Sequence, residues 1–69
     1  MTPAQLRALR QRLGLDQTEA AAILGVPNTT LSRWERGVQS WPCSAERLLW
    51  CCVRDPSLLD DLRQIVSYL

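Results

Sequence analysis

The segment from Asp16 to Gly37 constrains the fold more than any other part of the chain. Apolar residues recur in it at helical spacing on both sides of Gly25, and a glycine at that place favours a tight turn. The segment therefore predicts two short helices, the second of which carries its apolar residues on one side only. The other side presents Asn28, Thr29, Ser32 and Arg33. Such side chains can hydrogen-bond to base edges or phosphates, so the pattern indicates a helix suited to the major groove of DNA.

Helical spacing of apolar residues continues through the rest of the chain, and no run alternates as a strand requires. The predicted helices cover about residues 3–13, 17–24, 28–36, 45–53 and 56–69. Their expected N-terminal caps are Thr2, Asp16 (in a capping box with Glu19), Ser44 and Asp55. Their expected core positions are Leu6, Leu9, Leu13, Ala20, Ala21, Leu24, Leu31, Trp34, Leu48, Leu49, Cys52 and Val53. The 69 residues thus predict a single all-α domain of five helices.

Charge is unevenly distributed along the chain, although its net value is only +1. Residues 1–37 contain five arginines and three acidic residues, whereas residues 38–69 contain three arginines and four acidic residues. All eight basic residues are arginines, whose planar guanidinium group can bind phosphate and guanine bidentately. Because the basic half of the chain contains the two-helix segment, the charge pattern favours a nucleic acid as the partner.

Composition argues against several other classes of protein. The chain has no histidine, and its three cysteines, at positions 43, 51 and 52, lack the spacing of a zinc site or a disulfide framework. We therefore expect a reduced, cytoplasmic protein with no metal or other cofactor, in which Cys51 and Cys52 fill apolar space on a helix. No apolar run is long enough to span a bilayer. Since no nucleophile has a recognisable base, we expect no enzymatic activity and no small-molecule ligand.

Several motifs between Leu6 and Pro42 form one pattern. They are Arg10, Leu13-Gly14-Leu15, Gln17, Ala20-Ala21, Leu24-Gly25-Val26, the run from Thr30 to Gly37, and Pro42. This pattern resembles the Cro/repressor-type helix-turn-helix family, also called the XRE family. The resemblance implies a five-helix, lambda-repressor-like DNA-binding domain with its helix-turn-helix at about residues 17–36. It also implies double-stranded DNA as the partner.

The chemistry of the exposed face of the third predicted helix indicates which residues read bases. Asparagine can pair bidentately with adenine and arginine with guanine, and the threonine methyl group can contact a thymine methyl group. The expected base-contacting residues are Asn28, Thr29, Ser32 and Arg33. Pro27 stands where relatives often have a serine or threonine cap. If Asn28 takes over the cap, Thr29 and Arg33 become the principal readers; the alternative for the whole face is a solvated surface.

The resemblance also implies contacts with the DNA backbone. In the family, the position of Gln17 holds a phosphate with its amide, and the free N–H groups of the helix start point at the same anion. The expected phosphate-contacting residues are Gln17, Arg10, Thr30, Arg36, Gln39 and Ser40. Arg10 and Glu35 match positions that form a partly buried ion pair in relatives. Trp41 has two interpretations, packing beside Pro42 or directing its ring N–H at a phosphate.

The last predicted helix has a wider apolar stripe than packing on its neighbours should require, which indicates an interface. The expected interface residues are Trp50, Leu58, Leu62, Ile65, Val66 and Leu69. Members of the resembled family usually bind palindromes as dimers, with half-sites about one helical turn (~34 Å) apart. The resemblance therefore implies a homodimer that uses the helix at about residues 56–69.

Two functions follow as hypotheses. The first is a sequence-specific transcriptional regulator of a bacterium or phage, a dimeric repressor that reads a palindromic operator. The second is an antitoxin or adaptor-type interaction module, because the tail at residues 44–63 resembles the DNA-binding domain of MqsA/YgiT-type antitoxins. In that case a toxin or another protein is a further partner. The polar, arginine-bearing face of the third helix favours the first hypothesis, since a protein-binding face would be apolar.

Overall fold

The computed structural model describes residues 1–68, and of Tyr68 the backbone only. Within these residues the chain forms five helices and no strand, which confirms the all-α prediction. The helices are α1 (Pro3–Arg12), α2 (Gln17–Leu24), α3 (Asn28–Glu35), α4 (Cys43–Arg54) and α5 (Pro56–Tyr68). None of them is long and apolar enough to serve as a membrane span in the described part of the chain.

Side chains fix the starts of three helices. The Thr2 hydroxyl accepts from the Gln5 N–H (3.2 Å), and the Gln5 side chain accepts from the Thr2 N–H (2.8 Å), so α1 has a complete capping box. At α2 the Asp16 carboxylate accepts from the Glu19 N–H (2.7 Å), which confirms the cap. The reciprocal bond from Glu19 that a capping box needs does not occur among the described residues, so that part of the prediction is wrong.

Asp55 organises the junction between α4 and α5, as its position in the sequence predicts. Its Oδ1 atom accepts from the backbone N–H of Ser57 (3.1 Å) and from the Ser57 hydroxyl (2.6 Å). The Ser57 hydroxyl bond is the main reason why the pKa of Asp55 lies below its usual value. The carboxylate therefore stays ionised at the start of α5, where negative charge is favourable.

Four helix boundaries differ from the prediction: the ends of α1, α3 and α4 each differ by one residue, and the start of α4 differs by two. α1 ends at Arg12, and Leu13 still has near-helical backbone angles, with its N–H directed at the Leu9 and Arg10 carbonyl oxygens. α4 begins at Cys43, two residues before the predicted start, and Pro42 rather than Ser44 precedes its first turn. Proline fits there because its extended conformation suits the residue before a helix and it has no N–H to leave unpaired.

Gly25 makes the turn between α2 and α3. Its φ of 73° lies in the left-handed region, which residues with a Cβ atom rarely adopt. The chain reverses there, and the Val26 N–H bonds to the Ala21 carbonyl oxygen at 3.0 Å. Gly37 ends the α3 turn in the same conformation, and a Cβ atom on it would lie 3.3 Å from Cγ of Pro3. The end of α3 can therefore approach the start of α1 closely.

The core lies where α1 contacts α3 and α4, α2 contacts α3 and α5, and α4 contacts α5. Its buried apolar residues are Leu6, Leu9, Leu15, Ala20, Ala21, Ile23, Leu31, Trp34, Ala45, Leu49, Cys52 and Leu59. Four of the expected core residues are only half-buried: Leu13, Leu24, Leu48 and Val53. A fully buried leucine contributes about 1.5–3 kcal/mol, so this set stabilises the arrangement that positions α3.

The two adjacent cysteines differ in environment. Cys52 is buried in the core, as expected, but Cys51 is exposed, so the prediction that both fill apolar space is wrong for Cys51. Consecutive helical residues point about 100° apart, and α4 buries only one side. Burial raises the pKa of the Cys52 thiol, and the neighbouring Cys51 and Asp55 raise it further. Cys52 is therefore a neutral packing residue.

Candidate nucleic-acid interface

α3 is amphipathic because its apolar residues, Leu31 and Trp34, are three positions apart and lie on one side of the helix. Both are buried in the core, as predicted. The opposite side carries the expected base-contacting residues, of which Asn28, Thr29 and Arg33 are exposed and Ser32 is half-buried. The packing of Leu31 and Trp34 therefore determines which side of α3 faces outwards.

Six side chains surround a shallow polar depression on the outer surface of the helix pair. They are Gln17 at the start of α2, Asn28, Thr29, Ser32 and Arg33 on α3, and Arg36 just after it. All six are residues for which the sequence predicts a DNA contact. Arg36 is held over the end of α3, with its Nε atom 3.4 Å from the Ser32 carbonyl oxygen. The structure thus brings predicted base-contacting and phosphate-contacting residues into one surface.

Asn28 is not the cap of α3. Pro27 occupies the N-cap position and makes no side-chain cap bond, and the Thr30 N–H bonds to its carbonyl oxygen (3.0 Å). Asn28 is the first residue inside the helix, and its amide takes part in none of the hydrogen bonds of the described residues. The interpretation in which capping withdraws Asn28 from the bases therefore does not apply, and its amide remains available.

A buried ion pair joins α1 to the end of α3, as the resemblance predicts. Arg10 donates from Nε to Oε2 of Glu35 (2.8 Å) and from Nη2 to Oε1 (3.1 Å). Its remaining nitrogen, Nη1, donates to the Leu15 carbonyl oxygen (2.8 Å). Arg10 is 9% exposed and Glu35 is 4% exposed. Because all three Arg10 nitrogens have partners inside the protein, the geometry supports its structural role more than its expected phosphate contact.

Two further side chains, which are less buried than Glu35, lie beside its carboxylate. Its Oε1 atom lies 3.4 Å from Nε2 of Gln17 and 3.6 Å from Nε of Arg7. Gln17 is half-buried, and its amide is oriented by this contact at the edge of the polar depression. Arg7 is not among the residues that the sequence predicts to contact DNA. Its position three residues before Arg10, on the same side of α1, could have indicated it.

The other predicted phosphate-contacting residues of the loop and helices do not line the depression. Thr30 is half-buried, and Gln39 is exposed in the loop between α3 and α4. Ser40 lines a separate recess with Met1, Trp41 and Glu46. Of the two interpretations of Trp41, the structure supports packing. Its ring is half-buried against the core, and its N–H donates to Oε1 of Glu46 (3.2 Å).

The predicted interface residues do not form one continuous patch. On α5, Leu58, Leu62 and Val66 are half-buried against the core, and Ile65 is 55% exposed. Trp50 is 43% exposed and lines a groove along α1, whereas Val66 lines a groove between α2 and α5. Leu69 lies outside the described residues. More of the apolar stripe is therefore used in packing than the sequence suggested.

Comparison with curated proteins and with solved structures gives no match to this chain. Among protein families, the one described as helix-turn-helix (HTH_3) matches residues 6–42, which is more than half of the chain. The match includes α2, the turn at Gly25 and α3, and it ends before the tail at residues 44–63. The chain therefore belongs to the HTH_3 helix-turn-helix family of DNA-binding transcription regulators.

Proposed function

We propose that this protein is a cytoplasmic, dimeric repressor that reads a palindromic operator through α3. One observation carries the proposal: the outward side of α3 and the start of α2 share one polar surface that holds two arginines and two amide side chains. These groups match the donors and acceptors of base edges and phosphates. Membership of the family indicates that the partner is DNA, and the polar surface on α2 and α3 has the groups needed to read a DNA sequence.

The base-reading roles follow from side-chain chemistry. Arg33 has the fork of N–H donors that fits O6 and N7 of guanine, and Asn28 has the amide that fits N6 and N7 of adenine. Thr29 offers a methyl group to thymine, and the half-buried Ser32 lines the depression about one helical turn after Asn28. Asn28 and Thr29 begin α3, and the first residues of a recognition helix are those that commonly reach the bases.

The backbone-positioning roles belong to residues at the rim of the same surface. Gln17 begins α2, where backbone N–H groups without helical partners favour an anion, and Glu35 orients its amide. Arg36, which follows α3 and also lines the depression, supplies a guanidinium group. Gln39 and Ser40 follow in the exposed loop and extend the contact along the backbone. Such contacts fix the register of the protein on the duplex but carry no sequence information.

A second copy of the chain is the partner that we propose for the exposed edge of α5. One small DNA-binding module buries only about 600–1,000 Å² of protein surface, which limits its specificity. Two copies related by a twofold axis would place two α3 helices in successive major grooves. Ile65 is the most exposed apolar side chain of the described part of α5, and the neighbouring Val66 lines a groove against α2.

The Ile65→Asp variant is expected to be monomeric and to bind the operator weakly. Ile65 is a better test than Leu62, because Leu62 packs against the core and a charge there would disturb folding. Trp50→Gln is the matched variant in the groove along α1, and it should leave the dimer intact. Sedimentation velocity of both variants is the measurement. An Ile65→Asp protein that remains dimeric, or a Trp50→Gln protein that is monomeric, would place the interface elsewhere.

Selection from a random pool of duplexes at about 150 mM salt tests the proposed function. The expected result is enrichment of a palindrome with half-sites about one helical turn apart. If each dimer neutralises about 6–8 phosphates, log K should fall with log salt with a slope of roughly −5 to −7. An unenriched pool and a slope near zero would contradict the proposal. They would direct attention to the interaction-module hypothesis, which rests on the resemblance of the tail to antitoxins.

A further inference from the structure

We propose that Arg7 contacts a DNA phosphate, and that it forms with Gln17 a two-residue clamp on the sugar-phosphate backbone. An exposed arginine or glutamine by itself does not define a phosphate-binding site. The inference comes from the way in which both side chains converge on one buried carboxylate. It rests on the proposed function, because it names a further part of the same DNA-binding surface.

The position of Arg7 follows from two distances. Its Nε atom lies 3.6 Å from Oε1 of Glu35, and Nε2 of Gln17 lies 3.4 Å from the same oxygen. The guanidinium group of Arg7 and the amide of Gln17 are therefore neighbours, although they belong to different helices. Gln17 is in turn part of the wall of the polar depression on α2 and α3. Arg7 thus places a guanidinium group from α1 beside the wall of the depression that Gln17 forms.

Glu35 does not need Arg7 for its neutralisation. Arg10 already forms two short hydrogen bonds with this carboxylate, one to each oxygen. The 3.6 Å distance between Nε of Arg7 and Oε1 of Glu35 is too long for a good hydrogen bond, and the Arg7 side chain of this pair is half exposed to solvent. The contact therefore orients the guanidinium group of Arg7 but leaves it free to bind a phosphate.

Arg7 and Arg10 differ in how accessible their guanidinium groups are to a ligand. The Arg7 side chain is 53% exposed, and none of the hydrogen bonds of the described residues involves its Nη1 or Nη2 atom. Arg10 has all three nitrogens bound to Glu35 and Leu15. A guanidinium group with two unpaired terminal nitrogens can hold a phosphate bidentately. Of the two arginines that face Glu35, Arg7 is therefore the one suited to the DNA backbone.

The test compares Arg7→Ala with Arg12→Ala. Arg12→Ala is a matched control, because it removes the same charge from the same helix. Arg12 lines the groove beside Trp50 instead of the depression. Each variant is titrated with the selected duplex between about 50 and 200 mM salt. One lost phosphate contact lowers the magnitude of the salt slope by about 0.9, and a symmetric dimer loses two. The affinity ratio of wild type to Arg7→Ala should then shrink by about 3- to 4-fold per contact across that range.

Arg7→Lys separates charge from structure. Lysine keeps the cation without the planar fork, so its salt slope should stay near the wild-type value while Arg7→Ala loses slope. The melting temperature of Arg7→Ala should remain close to that of the wild type. An Arg7→Ala slope equal to the wild-type or Arg12→Ala slope would overturn the clamp while leaving the proposed function intact. A wild-type protein that binds no duplex in a salt-dependent manner would overturn both.

Discussion

Replacing Glu35 with alanine is expected to lower the free energy of unfolding by about 3–5 kcal/mol, the usual cost of removing one partner from a buried ion pair. The loss is large because Arg10 is 9% exposed and would keep its charge inside the protein. The same change removes the acceptor of the Gln17 amide and weakens the link between α1 and the end of α3. It therefore disturbs the position of the DNA-binding surface as well as its stability.

Thermal unfolding followed by circular dichroism measures this effect. In a domain of this size, 1 kcal/mol corresponds to about 4–8 °C in Tm, so a Glu35→Ala protein should melt at least ten degrees lower or fail to fold. The double variant Arg10→Met/Glu35→Leu is the control, because it removes the charge of both partners. It should recover much of the stability, since apolar replacement of a whole buried pair is often neutral or favourable. An unchanged Tm for Glu35→Ala would contradict the structural role of the pair.

Helical periodicity alone predicts correctly which side of α3 is buried, whereas the DNA contacts of its outward side stay predictions. Leu31 and Trp34 are buried where helical spacing places them, and the polar residues between them face outwards. The pairing of Arg10 with Glu35 came from the family resemblance, because residues 25 positions apart give no local pattern. The sequence also predicts the helix caps at Thr2 and Asp55 correctly, because the capping side chain and the backbone N–H that it binds are within three residues of each other.

What the sequence did not reveal depends on contacts between distant elements. Spacing alone gives an apolar face, but not the amount of that face which neighbouring helices cover. For this reason the spacing predicts more free apolar surface on α5 than the structure has, since Leu58, Leu62 and Val66 pack against the core. The sequence does not predict that Arg7 and Gln17 both contact Glu35, because these contacts depend on how α1, α2 and α3 pack together.

Arg33→Ala is expected to weaken binding to the selected operator by about 1–3 kcal/mol per half-site, the worth of one bidentate guanine contact. In a symmetric dimer the loss counts twice, so the total is about 2–6 kcal/mol, where each 1.4 kcal/mol is tenfold in Kd. Discrimination should be lost at one position of each half-site and kept at the others. The measurement is Kd by fluorescence anisotropy for the selected duplex and for duplexes with single base changes.

Two further variants show whether the loss comes from the role of Arg33 or from its charge. Arg54→Ala removes the same charge from the end of α4, outside the polar depression, and should leave base preference unchanged. Gln17→Ala should weaken all duplexes about equally, because a phosphate contact carries no sequence information. Arg33 is exposed and contributes little to the core, so its variant should keep the wild-type Tm. Weakening by the same factor for every duplex would make Arg33 a backbone contact and leave Asn28 and Thr29 to read the operator.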